Sequence, residues 1–270
     1  MNFNKYKLIS NQYDVCFEKL NLRKNLKRLL LKKNKSLGRS RGSIVMWHRG
    51  GGVKRNFRIL LNYKSIPSNF AFLRSIEYDP NRSAFIGLIQ FENGAFSNVV
   101  VSSKMQAGDV MSLSSIKENY YYRKNGDFVT LRDAPIGIPI YNLEKYPGSG
   151  PVYSKSAGVH SLLLTKDVRF GRVKLSSGTE RLFDLDCLVT LGIPSNIYRH
   201  FNKKYKAGTN RLLNKRPIVR GTAMNPIDHP HGGGAGKTAP GRPSVSPWGK
   251  LTKGVPTRKN IKNKFIFKMK

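Results

Sequence analysis

The positive charge of this chain is unevenly distributed, which limits what the chain can fold into. Residues 1–60 carry 16 Lys and Arg against 2 acidic residues, and residues 200–270 carry 17 against 1. Residues 61–199 carry 16 against 12, the balance of an ordinary globular protein. Because like charges repel, the two flanks cannot pack on themselves and need an anionic surface. We therefore predict a compact core with two basic arms.

The total charge indicates the class of partner. A formal net charge of +34 over 270 residues favours a polyanion, of which nucleic acid is the commonest. The hydrophobic fraction of 39% is too high for a disordered chain, and the length suggests about two domains. The two cysteines fit neither zinc nor redox spacing. We expect no membrane partner, because no apolar run approaches about 18 residues, and no secretory signal, because no apolar h-region follows the start.

Residues 19–33 place leucines at helical spacing with Lys and Arg between them. This pattern predicts a short basic amphipathic helix that faces RNA or caps the core. A disordered segment and a targeting segment are the alternatives.

Short runs of β-branched and aromatic residues predict strands through the middle of the chain. The first set is Ile44–Trp47, Phe57–Tyr63, Leu73–Tyr78, Ala84–Glu92, Ala95–Ser102 and Val110–Leu113. Asn93–Gly94 predicts a type I′ hairpin turn between two of these runs, and the set suits a small Greek-key barrel of OB type. The second set is Phe128–Leu131, Ile138–Leu143, His160–Thr165, Arg172–Leu175 and Glu180–Leu185. Its spacing predicts another small barrel.

The pattern changes after about Ile197. Residues 200–213 are compatible with one basic helix, and after Pro217 the density of proline is too high for a helix or a central strand. Apolar residues nevertheless persist there, for example Trp248. We predict an ordered, extended segment that is held by a partner.

Residues 232–238 (GGGAGKT) superficially match a nucleotide-binding loop, but His231 stands where that motif requires glycine. Prolines on both sides also exclude the strand and helix that such a loop connects. His229 and His231 lack further ligands at metal-binding spacing. We favour polar contact of these two histidines with phosphate or ribose over metal binding or acid–base catalysis.

Two glycine triplets lie beside basic residues, at residues 50–52 and 232–234. Glycine allows the backbone to approach a phosphate closely, so both triplets favour RNA contact, with a simple hinge as the alternative. The segment Asp79–Ser83 predicts a turn, from which Arg82 could pair with a phosphate.

Five segments resemble the ribosomal protein L2 family, a universal family of the large ribosomal subunit. They are GRSRGSIVMWHRGGGVKRNFRI (38–59), IEYDPNRSAFIGLI (76–89), IYNLEKYPGSG (140–150), SAGVHSLLL (156–164) and RPIVRGTAMNPIDHPHGGGAGKTAPGRPSVSPWGK (216–250). The resemblance implies a mostly β chain, an OB-like barrel followed by an SH3-like barrel, with extended basic N- and C-terminal tails. It also implies binding of large-subunit rRNA near the peptidyl transferase centre, with roles in subunit association, tRNA placement and support of the RNA catalyst. His229 lies in the HPHGGG signature, for which a part in peptidyl transfer has been proposed; we carry it over only as a contact.

Three places depart from the family pattern. The segment before Gly38 is shorter, the stretch 114–133 is longer and more aromatic, and Ala235 replaces a usual Glu.

We accordingly predict four regions: a basic extension (1–37), an OB-like RNA-binding barrel (38–120), an SH3-like barrel (121–196) and an extended rRNA-binding segment (197–270). The residues predicted to contact RNA are Arg39, Arg41, His48, Arg49, Gly50, Gly51, Gly52, Lys54, Arg55, Arg82, Arg220, Asn225, His229, His231, Gly232, Gly233, Gly234, Lys237, Arg242, Trp248 and Lys250.

We expect a structural protein and not an enzyme, without catalytic or metal-binding residues. The expected partners are large-subunit rRNA, neighbouring ribosomal proteins and small-subunit rRNA at the subunit interface. No cofactor is expected other than structural Mg²⁺ at the RNA interface. The composition and the bacterial-type motifs favour the mitochondrial matrix, with a plastid or the bacterial cytoplasm as alternatives. The competing functions are an NTP- or metal-dependent RNA-processing enzyme and a membrane-surface protein.

Overall fold

The computed structural model describes residues 26–32, 38–63, 66, 68–113, 123–235, 241–256 and 264–268. The chain divides into two compact units. Unit 1 takes the described parts of Met1–Lys33, Arg55–Lys203 and Phe265–Lys270, and unit 2 takes those of Asn34–Lys54 and Lys204–Lys264.

Strands dominate the described residues. They are β1 (Leu30–Lys32), β2 (Arg39–Ser40), β3 (Ser43–Ile44), β4 (Asn56–Arg58), β5 (Phe70–Glu77), β6 (Ile86–Phe91), β7 (Phe96–Val100), β8 (Val110–Ser112), β9 (Phe128–Thr130), β10 (Pro139–Tyr141), β11 (Leu143–Glu144), β12 (Pro151–Tyr153), β13 (Ser161–Lys166), β14 (Phe170–Lys174), β15 (Glu180–Asp184), β16 (Leu188–Leu191) and β17 (Ile266–Lys268). Among the described residues the helical segments are one α-helix, α1 (Ala207–Leu212), and 3₁₀ turns at Lys27–Leu29, Ile197–Phe201 and Gly221–Ala223.

The first β module of unit 1 is an antiparallel sheet with the strand order β7–β6–β5–β8. Alternation along β5 buries Ala71 and Leu73 and exposes Phe70 and Phe72, as expected for a strand with one face on a core. Phe128 from β9 joins this core, and its ring meets that of Tyr63 edge to face at 5.0 Å between centroids.

The hairpin between β6 and β7 is confirmed, but the predicted type I′ turn is wrong. Gly94 has a φ of 78°, whereas Asn93 is not among the residues with positive φ. The N–H of Gly94 donates to the carbonyl of Phe91 at 3.0 Å, and the N–H of Phe91 donates to Ala95 at 2.9 Å. This is a three-residue connection with glycine in the left-handed region, which the same Asn-Gly pair also accommodates.

The second β module is an antiparallel sheet with the strand order β17–β15–β14–β13–β10–β16–β9, accompanied by the pair β11–β12. Its core is apolar, with Leu163, Val173 and Val189 fully buried. Glu144 is also fully buried, and its carboxylate accepts N–H groups of Gly148, Gly150 and Leu188. These bonds compensate the cost of burying the charge.

Hydrogen bonds join the two β modules within unit 1. The hydroxyl of Tyr141 donates to the carbonyl of Val100 at 3.1 Å, and the N–H of Phe85 donates to Oγ of Ser195 at 3.0 Å. Burial raises the pKa of the Tyr141 hydroxyl well above its usual value, so it remains a neutral donor. The modules therefore share a buried, polar junction.

The predicted N-terminal helix is wrong for its described part, residues 26–32. A 3₁₀ turn is followed by β1, which pairs antiparallel with β4, Leu30 opposite Arg58. The backbone of Leu30–Lys32 forms its hydrogen bonds with β4 and not within a helix. This tertiary pairing overrides the helical spacing of the leucines. Residues 19–25 lie outside the described residues.

The single helix predicted over residues 200–213 is also wrong. The 3₁₀ turn Ile197–Phe201 ends at Asn202, whose ψ of 100° is extended, and α1 begins only at Ala207. The end of the chain contributes a strand that was not predicted. β17 pairs antiparallel with the edge of β15, and both strands belong to unit 1.

The predicted fold class is confirmed: the chain is mostly β, with an OB-like module followed by an SH3-like module. The boundaries of the four predicted regions stay predictions.

Candidate nucleic-acid interface

Unit 2 concentrates the positive charge. Its sequence, residues 34–54 and 204–264, contains 19 Lys and Arg and a single acidic residue, Asp228. Among its described residues only Gly50, His229 and Val245 are buried. The described part of this unit therefore buries little apolar surface, and the charged residues of the unit are almost all cationic, which attracts polyanions.

The β2–β3 hairpin presents two predicted contact residues. Arg41 and Gly42 form its turn with φ values of 48° and 80°, the positive pair of a type I′ turn, and Arg39 and Arg41 are exposed. The N–H groups of Val45 and Met46 both donate to the carbonyl of Gly38 at 2.9 Å. These bonds fix the hairpin in one conformation from which both guanidinium groups reach solvent.

The first glycine triplet packs two basic segments together. The N–H of Gly50 donates to Asn214 at 3.3 Å, and that of Val53 donates to Leu212 at 3.1 Å. A Cβ on Gly52 would lie 2.7 Å from Cβ of Asn214 and 2.9 Å from its Cα and N. The triplet thus allows close approach of backbones and aligns Arg49 with Lys215 in an antiparallel bridge.

His48 contributes to the same arrangement. Its φ is 60°, a conformation that is strained for a residue with a side chain. Its carbonyl accepts the N–H of Arg216 at 3.0 Å, and its Nδ1 lies 3.1 Å from the carbonyl oxygen of Pro217. These contacts hold the backbone in its strained form.

His229 is buried inside its loop, with 8% of its surface exposed. The backbone N–H of His231 donates to Nδ1 of His229 at 3.0 Å, so Nδ1 is the unprotonated ring nitrogen. The carbonyl of His229 accepts the N–H of Gly232 at 2.8 Å, and its ring packs on Gly221. In this arrangement, His229 organises the loop from within.

The second glycine triplet also permits close packing. A Cβ on Gly232 would collide with the carbonyl oxygen of Asn225, and one on Gly233 would lie 2.8 Å from Cγ of Pro226. Gly233 has a φ of 84° and Gly234 one of 89°. Lys237, which follows, lies outside the described residues.

Trp248 lies on an exposed turn. The N–H of Ser246 donates to the carbonyl of Lys250 at 2.8 Å, and the N–H of Gly249 donates to the carbonyl of Ser246 at 2.9 Å. Trp248 is 68% exposed, and its ring meets that of Trp47 edge to face at 6.1 Å between centroids. Exposed aromatic rings beside cations can stack on unpaired bases.

Five further predicted contacts of unit 2 are exposed: Lys54, Arg220, Asn225, Arg242 and Lys250.

In unit 1, Arg82 is tied into its own turn. Its Nε donates to Oδ2 of the fully buried Asp79 at 2.6 Å, and Oδ1 of Asp79 accepts the N–H of Asn81 at 2.8 Å. Arg55 donates to the carbonyl of Pro80 at 2.7 Å. Both guanidinium groups therefore stabilise the turn 79–83.

Lys155 adds positive charge near Arg82. Partial burial, and secondly the charge of Arg82, lower the pKa of the Lys155 ammonium group. A phosphate oxygen between these two cations would relieve their repulsion.

Four cationic or aromatic residues near the first triplet were missed: Trp47, Arg211, Lys215 and Arg216. Trp47, next to His48 and Arg49, carried an available signal, since a tryptophan in a basic segment is not a linker residue. Arg211 was hidden by the prediction of one continuous helix over residues 200–213, and Lys215 and Arg216 follow that stretch.

Among the described residues, no group of three or more His, Cys, Asp or Glu side chains is arranged to hold a metal ion. In the described part of the chain, no helix has the length and apolar character that a membrane crossing requires.

A mostly β protein with an exposed, cationic and glycine-rich surface that also presents tryptophans has the features of an RNA-binding protein. Two family models of one RNA-binding family match the chain. Residues 26–113 match "Ribosomal Proteins L2, RNA binding N-terminal domain", and residues 124–249 match "Ribosomal Proteins L2, C-terminal domain".

Curated relatives agree with this match. The chain is 44% identical over 258 residues to "Large ribosomal subunit protein uL2" of Rickettsia typhi, covering 94% of this chain and 93% of that protein. It is 44% identical over 246 residues to the protein of the same name from Orientia tsutsugamushi, covering 90% and 88%. The chain belongs to the ribosomal protein L2 family, which is structural and non-enzymatic. The alternative of an RNA-processing enzyme is not supported.

Proposed function

We propose that the chain is a structural protein of a large ribosomal subunit and binds large-subunit rRNA. The observation that carries the proposal is unit 2, with 19 Lys and Arg against one acidic residue and, among its described residues, a single buried apolar side chain, Val245. Membership of the L2 family and the name of its relatives, large ribosomal subunit protein, support it.

The exposed cations would position the protein on the RNA backbone. Arg39, Arg41, Arg49, Lys54 and Lys250 are exposed on unit 2, and contacts of this type neutralise phosphates without reading sequence.

Recognition of RNA shape would come from the segment 220–250. Hydrogen bonds around His229 and His231 give residues 220–233 of this segment a defined backbone. These residues can enter between RNA helices, and Trp248 can stack on a base. We place this contact near the peptidyl transferase centre, where the protein would support subunit association and tRNA placement.

Further partners in the proposal are neighbouring ribosomal proteins and small-subunit rRNA at the subunit interface. Structural Mg²⁺ would lie between RNA phosphates and this surface. The mitochondrial matrix is the proposed location, supported by heavy use of Asn, Lys, Ile, Tyr and Phe. Sedimentation of the tagged protein from an organelle lysate tests this location: recovery with mitochondrial large subunits is expected, and recovery with plastid ribosomes would contradict it.

A salt titration of filter binding tests the RNA function. With about 6–10 phosphate contacts, affinity for a large-subunit rRNA fragment should fall roughly 10³- to 10⁵-fold between about 50 and 200 mM salt. Changing Arg39, Arg41 and Lys250 to Gln should reduce the slope by about one for each lost contact. The matched control removes the same charge from exposed positions of unit 1, Lys145 and Lys174 among them. A flat titration, or an equal loss in the control, would contradict the proposal.

Deletion of residues 217–250 gives a second test. Both β modules should remain folded because their cores lie outside this segment, while incorporation into large subunits should be lost. Loss of the β signal in circular dichroism would show that the segment supports the core instead.

A further inference from the structure

A cleft in unit 2 is not accounted for by phosphate contacts alone. It has a volume of about 740 Å³ and lies where residues 47–49 face α1 and the chain that follows it. Its lining includes Trp47, Arg49, Arg211, Lys215, Arg216 and Ile218. Clefts of this size typically enclose a small molecule or part of a larger ligand.

The charge of the cleft is entirely positive. Arg49, Arg211, Lys215 and Arg216 line it, and no carboxylate is among its lining residues. The backbone positions these cations, because Arg49 and Lys215 are bridge partners and the N–H of Arg216 donates to His48. Several cations converge on one concavity, and this favours an anionic occupant that can neutralise them.

The cleft also has an apolar wall. Trp47 is 53% exposed, and Ile218 is 74% exposed. The edge-to-face contact with Trp248 restrains the Trp47 ring. A phosphate group alone would make no stacking contact with Trp47. In a duplex the bases are stacked inside the helix, so they are not available to the ring either. An unpaired nucleotide offers both a flat base and a phosphate.

We propose that this cleft binds one unpaired nucleotide of RNA, with its base against Trp47 and its flanking phosphates at Arg49, Arg211 and Lys215. The inference rests on the proposed RNA-binding function and specifies the chemical form of RNA that unit 2 selects. The strained His48 conformation supports it, because its contacts to Arg216 and Pro217 fix the cleft before any ligand arrives.

Tryptophan fluorescence of the full chain tests the proposal, because the sequence has only two tryptophans. In the Trp248→Phe variant the emission reports Trp47 alone, and in Trp47→Phe it reports Trp248. Titration with a short oligoadenylate should quench Trp47, since a base would stack on its ring. A duplex RNA with the same number of phosphates should bind without this quenching. Equal quenching by the duplex, or by polyglutamate, would show a cleft for any polyanion and overturn the proposal.

Affinity measurements provide an independent readout. Trp47→Leu should weaken oligoadenylate binding about 5- to 150-fold, the range for loss of one stacked base. Trp47→Phe should retain most of the affinity because it keeps an aromatic face. If Leu and Phe behave alike, stacking is refuted. Arg211→Gln tests the phosphate contact without altering the wall, and unchanged affinity there would also count against the proposal.

The proposed rRNA-binding function and the proposed nucleotide cleft can be refuted separately. If the unaltered chain does not bind large-subunit rRNA in the salt titration, the proposed function fails. If it binds rRNA with the expected salt dependence while Trp47 does not respond to oligoadenylate, only the nucleotide cleft is refuted.

Discussion

Replacing Gly221 by Ala should displace the buried ring of His229. A Cβ at Gly221 would lie 2.5 Å from Cε1 and Nδ1 of that ring and 2.7 Å from its Cγ. The ring cannot easily retreat, because it is buried and its Nδ1 accepts the N–H of His231. The φ of Gly221 is not in the left-handed region. Alanine is therefore disfavoured by steric overlap with the His229 ring and not by backbone strain.

The magnitude follows from the cost of overpacking. Forcing an extra methyl group into a packed site costs about 1–3 kcal/mol. If this cost is borne by the native loop, its opening becomes about 5- to 150-fold more favourable. Hydrogen exchange at the amides of His231 and Gly232 measures that opening directly, because these N–H groups donate to Nδ1 and to the carbonyl of His229.

A matched control is available within the same unit. Gly208 lies in α1, its φ is not in the left-handed region, and a Cβ there would meet nothing within 4 Å. Gly208→Ala should therefore leave exchange at His231 unchanged and stabilise α1 by up to about 1 kcal/mol. Unaltered protection of the His231 amide in Gly221→Ala would refute the idea that the ring holds this loop. In rRNA binding, Gly221→Ala should lower affinity but preserve the salt slope, because no charge is removed.

Three further predictions concern unit 1 and are read from thermal or denaturant unfolding. Asp79→Ala should lower the free energy of unfolding by about 3–5 kcal/mol, because it leaves Arg82 without its buried partner; a loss near zero would contradict this. Burial raises the pKa of the Glu77 carboxyl, so the protonated carboxyl contributes stability below its ordinary pKa, and this contribution is lost as the pH rises through the raised pKa of the folded protein. Glu77→Gln should therefore stabilise the protein at pH 7, with a gain that shrinks on acidification. A gain that does not change with pH would contradict this reasoning. Phe267→Ala should destabilise by about 1 kcal/mol, since the Arg172 guanidinium lies 4.6 Å from the ring centroid; release of β17 would appear as faster exchange along β15, and unchanged exchange there would argue against a stabilising edge.

The parts of the fold that sequence reasoning predicted are those encoded locally. β5, β6 and β7 follow alternation and turn residues, and each of these strands pairs with the next one along the chain. β16 was missed because the chain reverses between Asp184 and Leu188 without glycine or proline. β17 was missed because its partner β15 lies about eighty residues earlier, and only tertiary pairing distinguishes Ile266–Lys268 from a basic tail.

The candidate site shows the same division. The abundance of cations and glycine was visible in the sequence, whereas the reason for each glycine was not. Gly52 faces Asn214, and Gly221 faces His229, so the constraint on each comes from a residue that the chain brings near only after folding. The signature around His229 predicts an RNA contact but not the burial of its ring, which depends on that same packing.

The two units differ in the source of their stability. Unit 1 buries complete apolar clusters on both β modules, and burial of this kind stabilises a fold without a partner. The described residues of unit 2 are held mainly by main-chain hydrogen bonds and glycine contacts, and they bury only one apolar side chain, Val245. Its cations repel each other in the absence of an anion, so neutralisation by phosphate stabilises unit 2 far more than unit 1. RNA is therefore expected to act as part of the structure of unit 2, completing a surface whose backbone is already arranged.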